Sequence, residues 1–413
     1  MRSLKALLAL LVCGAASSQS GFYLKEGDRV VFYGDSITDQ RLYTTFVESY
    51  VVTRFPAMKV SFVHSGWGGD RVTGGGGGPI DLRLQRDVFA YKPTVMTIML
   101  GMNDGSYRAF DQRIYDTYTS GYRHILQSVK ETLPGIRITA IQPSPFDDVT
   151  RSPNFEGGYN AVLVRYGAFV KDLAADQMLT VADLNTPVVS ALRKADTLDA
   201  ETAKKIVPDR VHPGPGGHLL MAGALLATWR APGLVAAVEI EGTGGALVKA
   251  ENTSVTNISA AGKLSWTETD HALPMPLDTK DPVVDLALRS SDFVETLDRE
   301  TLKVTGLAAA RYTLVIDGDP AGNYTREQLA AGINLATAAT PMARQAARVH
   351  ELTLRHNGVH FARWREVQVP LASEHAAHLQ AALDALDALE ADLIGQQRSA
   401  AQPKAHHFEL VAQ

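Results

Sequence analysis

Between about residues 28 and 232, short apolar runs alternate with stretches of helical spacing, and that alternation leaves few folds open. Residues 29–33, 59–64, 94–100 and 136–141 are mostly apolar or rich in β-branched and aromatic side chains, with Gly or Pro close to their ends, and residues 179–184 make a short fifth run. Runs of this kind read as parallel strands buried on both faces. Residues 43–54, 111–133, 157–176 and 216–230 have the length and apolar spacing of helices. Strand–helix alternation predicts right-handed crossovers and an α/β fold, a parallel sheet covered by helices on both sides.

The first three strands each end in a polar, glycine-bearing turn. These are Gly34-Asp35-Ser36, then Ser65-Gly66-Trp67-Gly68-Gly69-Asp70, then Gly101-Met102-Asn103-Asp104. In a doubly wound sheet such turns share one edge, at the carboxyl ends of the strands where ligands bind. Ser36, Gly66 and Asn103 are thereby drawn toward one site. A fourth piece, Pro208-Asp209-Arg210-Val211-His212-Pro213, precedes the last helix of this region and sets a carboxylate three residues before an imidazole. Each piece has a plainer reading: Asp35 or Ser36 as a helix cap, Asn103 as a left-handed turn residue, Asp209 as a helix-approach cap and His212 as a surface turn histidine.

Taken together, the four blocks resemble those of the SGNH (GDSL-type) hydrolase superfamily, in order and in spacing, over roughly residues 28–232. The resemblance implies a flavodoxin-like three-layer α/β/α sandwich with a five-stranded parallel sheet. It also implies a serine esterase, with Ser36 as nucleophile, His212 as general base and Asp209 orienting the imidazole. The oxyanion hole would comprise the backbone N–H groups of Ser36 and Gly66 and the Asn103 amide. No metal or organic cofactor is called for by that mechanism. One departure is His64, where many members carry asparagine. Trp67 is a candidate wall for the acyl or alcohol group, or a packed core tryptophan. Asp104 is a pocket candidate or a brace for its turn, and Gly74 to Gly78 resembles a mobile rim. The remaining histidines are scattered along the sequence, with no metal-binding spacing.

The implied substrate is a small ester or acylated carbohydrate, most plausibly an acetyl ester. A broad short-chain esterase, lipase or thioesterase is the alternative, and a glycan-binding protein on an esterase scaffold is an alternative of a different class. A formal net charge of −5 and the lack of a dense basic run argue against nucleic acid as a partner.

Residues 1–18 read as a secretory leader: Arg2 and Lys5, an apolar run over 4–12, then small residues. The run is too short to span a bilayer. Cys13, the sole cysteine, lies within it, and Val12 before it is a poor fit to a lipid-attachment site. The expectation is a free protein, secreted or periplasmic, without disulfides.

A length of 413 residues exceeds one ordinary core, and the pattern changes after residue 232. Residues 235–335 show short strand-like runs and predict a small antiparallel β module. Three glycosylation sequons, at Asn252, Asn257 and Asn323, are treated as chance matches. A C-terminal helical segment follows over 340–400. Thr340-Pro341 opens a helix of about 15 residues. A last helix carries Leu379, Leu383, Leu386, Leu389 and Leu393 as one apolar stripe, with Asp384, Asp387 and Glu390 opposite. Trp266 and Trp364 look isolated.

Overall fold

The computed structural model describes residues 21–374 and 376–413; the leader over 1–18 and Cys13 lie outside the described residues. Five strands form the first sheet: β1 (Arg29–Gly34), β2 (Ser61–Gly66), β3 (Val95–Met99), β4 (Arg137–Ile141) and β5 (Thr180–Ala182). Every neighbouring pair is parallel, in the order β2-β1-β3-β4-β5. This is the flavodoxin-like order, whose switch point lies between β1 and β3. Val30, Val31, Phe32, Val95, Met96 and Ile98 are fully buried, as a sheet covered on both faces requires.

Helix α1 (Ser36–Asp39) follows β1 at once, and α2 (Leu42–Arg54) packs against α3 (Pro215–Thr228). Two of the longer helices in this domain escape the sequence pattern. Thr186–Leu198 fills the connection after β5, and Ile80–Asp87 follows β2. The second has an inner face built partly from charge. Arg83 and Asp87 are fully buried and paired, so apolar periodicity gives no sign of it.

The second half departs further from expectation. One sheet holds Ile333–Asn334, Arg299–Thr305, Leu234–Glu241 and Ala246–Glu251, and its central pair is parallel rather than antiparallel. A parallel pair needs a long crossover, and here helices Pro282–Arg289 and Phe293–Leu297 lie within it. Their Val284, Leu286 and Phe293 join the core of the first domain. The other sheet is antiparallel, and its central strand is Ala405–Ala412, far beyond residue 335. Trp266, far from isolated, stacks on Phe408 of that strand at 5.2 Å.

Helix α4 (Pro341–Phe361), capped by Thr340, runs longer than expected and continues as a π-helical stretch, Ala362–Gln368. It lies on α2 and pairs with α5 (Leu379–Ala400). The leucine stripe of α5 is only partly the packed face. Leu383 is buried, but Leu389 is 48% exposed, and Glu390 turns inward instead. The reason is electrostatic: Glu390 meets two histidines of α4, an attraction that apolar spacing cannot register. Among the described residues no helix is long and apolar enough to cross a membrane.

Candidate active site

The chain turns sharply at the end of β1. A side chain at Gly34 would lie 2.3 Å from Thr38 Oγ1 and 2.7 Å from Met99 O, so only glycine fits. Asp35 takes the cap role, its carboxylate accepting from the Ile37 N–H at 3.0 Å. Burial pushes its pKa up to about 7. With the cap supplied by Asp35, the Ser36 hydroxyl is left to face outward.

It meets His212, whose Nε2 lies 2.8 Å from Ser36 Oγ. His212 Nδ1 lies 2.7 Å from Asp209 Oδ2, while Asp209 Oδ1 accepts from the N–H groups of Val211 and His212. Partial burial raises the Asp209 pKa, but the hydrogen bonds from the His212 backbone and imidazole outweigh it and hold the carboxylate below its ordinary value. Arg210, between them, adopts φ 72, a left-handed conformation that closes the turn. The loop is tied down from outside by Arg151, which donates to the carbonyls of Lys204, Val207 and Pro208.

A second tie runs beneath. His218 Nδ1 accepts from the Tyr43 N–H at 3.2 Å, so Nε2 carries the proton and donates to Gln40 Oε1 at 3.0 Å. The Gln40 amide then reaches Pro213 O at 3.5 Å, next to His212. Burial lowers the His218 pKa to about 3, so this imidazole stays neutral. Neither Gln40 nor His218 stands out in the sequence; only their place beside the Ser36 turn gives them a role.

The oxyanion side needs a correction. Gly66 pairs with Gly34 in the parallel ladder, and the Trp67 N–H donates to Gly34 O. Successive N–H groups on a strand point opposite ways, so the Gly66 N–H faces away from β1 and Ser36. Gly66 is required for packing instead: a Cβ there would lie 2.1 Å from Asp39 N. The turn beyond it approaches the nucleophile, since a Cβ on Gly68 would lie 4.0 Å from Ser36 Cβ. The Gly68 N–H is occupied by Asp39 at 3.1 Å. Among the described residues the Gly69 N–H makes no hydrogen bond, and its φ of 79 suits glycine. Asn103 spends one amide hydrogen on Asp70 O at 3.0 Å, and its Oδ1 accepts from Tyr107 at 2.8 Å, which leaves one N–H of the amide for a ligand.

Residues 32–220 match the family model for GDSL-like lipases and acylhydrolases. That region, which holds Ser36, Asp209 and His212, is similar to the SGNH (GDSL-type) hydrolase superfamily. The chain is a carboxylic ester hydrolase. The SGNH region is 26% identical over 222 residues to an acetylxylan esterase of Geobacillus stearothermophilus, a span of 48% of this chain and 93% of that one. A solved structure described as a gut microbial diltiazem-metabolizing enzyme superposes with a TM-score of 0.82 at 28% identity, covering 94% of this chain and 98% of that one. The likeness thus extends through the C-terminal half.

The cleft beside the SGNH serine is open, about 240 Å³, and is lined by Ser36, Asp39, Gln40, Arg41, His212 and Phe361. Phe361 comes from α4, a residue no catalytic motif could signal. Trp67 does not line the cleft. It is buried with the guanidinium of Arg365 over its ring and forms an edge contact with Trp364. Trp364, also expected to be isolated, donates to Asp87 at 2.6 Å. Asp104 is no pocket wall either; it is buried and accepts from the Val72 N–H at 2.9 Å, bracing one turn against another. Burial pushes its pKa up to about 7. The glycine run is a tight hairpin, Gly74 pairing with Pro79 and Gly75 with Gly78, and Gly77 seats directly on Trp67. It is packed in place rather than forming a rim. His64 is buried beside Thr44 and Glu48, away from the serine.

A larger cavity, about 440 Å³, lies between β2 and the pair α4–α5. Its histidines, His356 and His360, pair with carboxylates, not with a hydroxyl. The chemistry belongs to the smaller cleft. Among the described residues no group of three or more His, Cys, Asp or Glu is arranged to hold a metal ion.

Proposed function

We propose that this protein is an exported serine esterase that removes short acyl groups, acetyl above all, from carbohydrates or similar alcohols through an acyl-enzyme on Ser36. The observation that carries the proposal is the unbroken path from Ser36 Oγ through His212 to Asp209, with links of 2.8 and 2.7 Å. Ser36 Oγ attacks the ester carbonyl as His212 Nε2 takes its proton, and Asp209 stabilises the imidazolium. The oxyanion is held by the N–H groups of Ser36 and Gly69 and by the free Asn103 N–H, each donor contributing about 10²–10³ in rate. His212 returns the proton to the departing alcohol. Water, deprotonated in turn by His212, then releases the acid and restores Ser36.

A small, open cleft favours a short acyl group, and the similarity to an acetylxylan esterase favours acetyl on a sugar. Export rests on the leader over residues 1–18. The test is an ester panel, acetylated sugars beside p-nitrophenyl esters of rising chain length, run with Ser36→Ala. Activity should peak at acetyl and vanish in the variant; full activity in the variant sinks the proposal.

A further inference from the structure

The cleft contains one feature that the triad chemistry leaves unused. Arg41 is the residue just before α2, and its backbone sits at φ 58, ψ 17, a left-handed conformation that favours glycine. The position carries a long cation instead. Its guanidinium lies over the Phe361 ring, 4.0 Å from the centroid, so a side chain of the C-terminal half holds it in place. Among the described residues the guanidinium makes no hydrogen bond and no ion pair, and its Nη1 is wholly buried without a partner. Buried donors are almost always satisfied, and one left open at the wall of a cleft calls for an acceptor from outside the chain. Asp39 and Glu366 are near enough to act on the guanidinium through space, but neither carboxylate makes a hydrogen bond or ion pair with it.

Arg41 and Phe361 share the cleft with His212. His212 must hand a proton to the departing oxygen, so the alcohol leaves on its side, away from the oxyanion donors. We propose that Arg41, seated on Phe361, is a specificity residue for the alcohol part of the ester, donating to a hydroxyl or ring oxygen of a sugar-like leaving group. This rests on Ser36 being the nucleophile. It also gives the C-terminal half a task at the site: α4 supplies the platform that aims the guanidinium.

The test uses the full chain and two acetyl esters, mono-O-acetylxylose and cyclohexyl acetate, whose alcohols are both rings but differ in oxygen content. Arg41→Gly removes the guanidinium while suiting the left-handed backbone, so the fold should survive, which a melting curve checks. The wild-type preference for the sugar ester, as a ratio of kcat/KM values, should fall by about 10- to 100-fold, mainly through KM, as loss of a charge-assisted hydrogen bond predicts. Arg41→Lys should restore part of the ratio, and Phe361→Leu should lower it less than Arg41→Gly. An unchanged ratio in Arg41→Gly overturns the proposal, as does a wild type with no preference for the sugar ester. Ser36→Ala, assayed in parallel on both esters, separates this from failure of the nucleophile assignment, which residual turnover in that variant would signal.

Discussion

Two imidazole–carboxylate groups in this molecule have opposite uses. His212 sits at a cleft with its side chain 35% exposed, one nitrogen on Asp209 and the other on a serine hydroxyl. His356 is 1% exposed, with Nε2 2.6 Å from Glu48 and Nδ1 3.7 Å from Glu390. Burial lowers the His356 pKa, but Glu48 and Glu390 outweigh it and raise it to about 9. A histidine already protonated at neutral pH cannot accept a proton from serine. The difference lies in the second nitrogen: facing a hydroxyl at the edge of water it makes a base, facing a second carboxylate it makes a clamp. Glu48 is the hub of that clamp, also meeting His64, Asn357 and Gln397, and so tying α2 and β2 to α4 and α5.

The comparison predicts a double dissociation. His212→Gln should cost about 10⁶ in kcat with little change in melting temperature. His356→Gln should do the reverse, destabilising the fold by about 3–5 kcal/mol because Glu48 and Glu390 lose their buried counter-charge, with the folded fraction keeping its activity. Steady-state kinetics beside urea titration read both. If His356→Gln abolished turnover without lowering stability, the clamp would be catalytic after all.

The same contrast shows what the sequence could carry. Ser36, Asn103, Asp209 and His212 are legible because each follows a strand or precedes a helix of regular period, and the sheet edge brings them together whatever the rest does. Gly66 misleads because the sequence shows a glycine but not which way its N–H points. The second half is obscure for a different reason. Its central strand, Ala405–Ala412, pairs with segments about 100 and 140 residues away, and such pairing leaves no local trace. Glu48, His356 and Glu390 lie in three separate helices, and only tertiary proximity makes them a unit. Truncation at residue 232 would therefore uncover Glu48 and α2 rather than release a self-sufficient hydrolase domain.

Titration sharpens the contrast further. The folded-state pKa of His356 lies above its unfolded value of 6.5, so its contribution is full below that value and is lost as pH rises through about 9. Burial raises the Glu390 pKa, but His356 and His360 outweigh it and hold it at about 2, so its contribution is present above 4.5 and lost as pH falls through about 2. The α4–α5 layer should be most firmly docked between pH 4.5 and 6.5. Amide protection factors over residues 341–400, taken against the intrinsic base-catalysed rate at each pH, should fall by pH 9.5 while those of β1 and β3 hold. An equal fall in both regions would remove the distinction.

On the catalytic side, His218→Leu removes the acceptor for the Tyr43 N–H and the donor to Gln40. The loop of His212 should loosen, lowering kcat by about 10-fold, below the roughly 10²-fold that a 1 Å misplacement can cost. KM for p-nitrophenyl acetate should change little. Because His218 stays neutral, the pH–rate profile should keep its shape, whereas a shifted profile would make this imidazole a titrating partner and not a brace.

The smallest effect tests which face of α5 is packed. Leu389 and Glu390 are adjacent, and hydrophobicity alone would bury the leucine. The structure does the opposite, exposing Leu389 and turning Glu390 toward His356 and His360. Leu389→Gln should therefore shift stability by no more than about 0.5 kcal/mol, while Glu390→Gln, which removes a charge from the clamp, should cost more. The order of these two losses in urea titrations decides between a helix held by its leucine stripe and one held by charge. Charge predicts that the apolar substitution is the silent one.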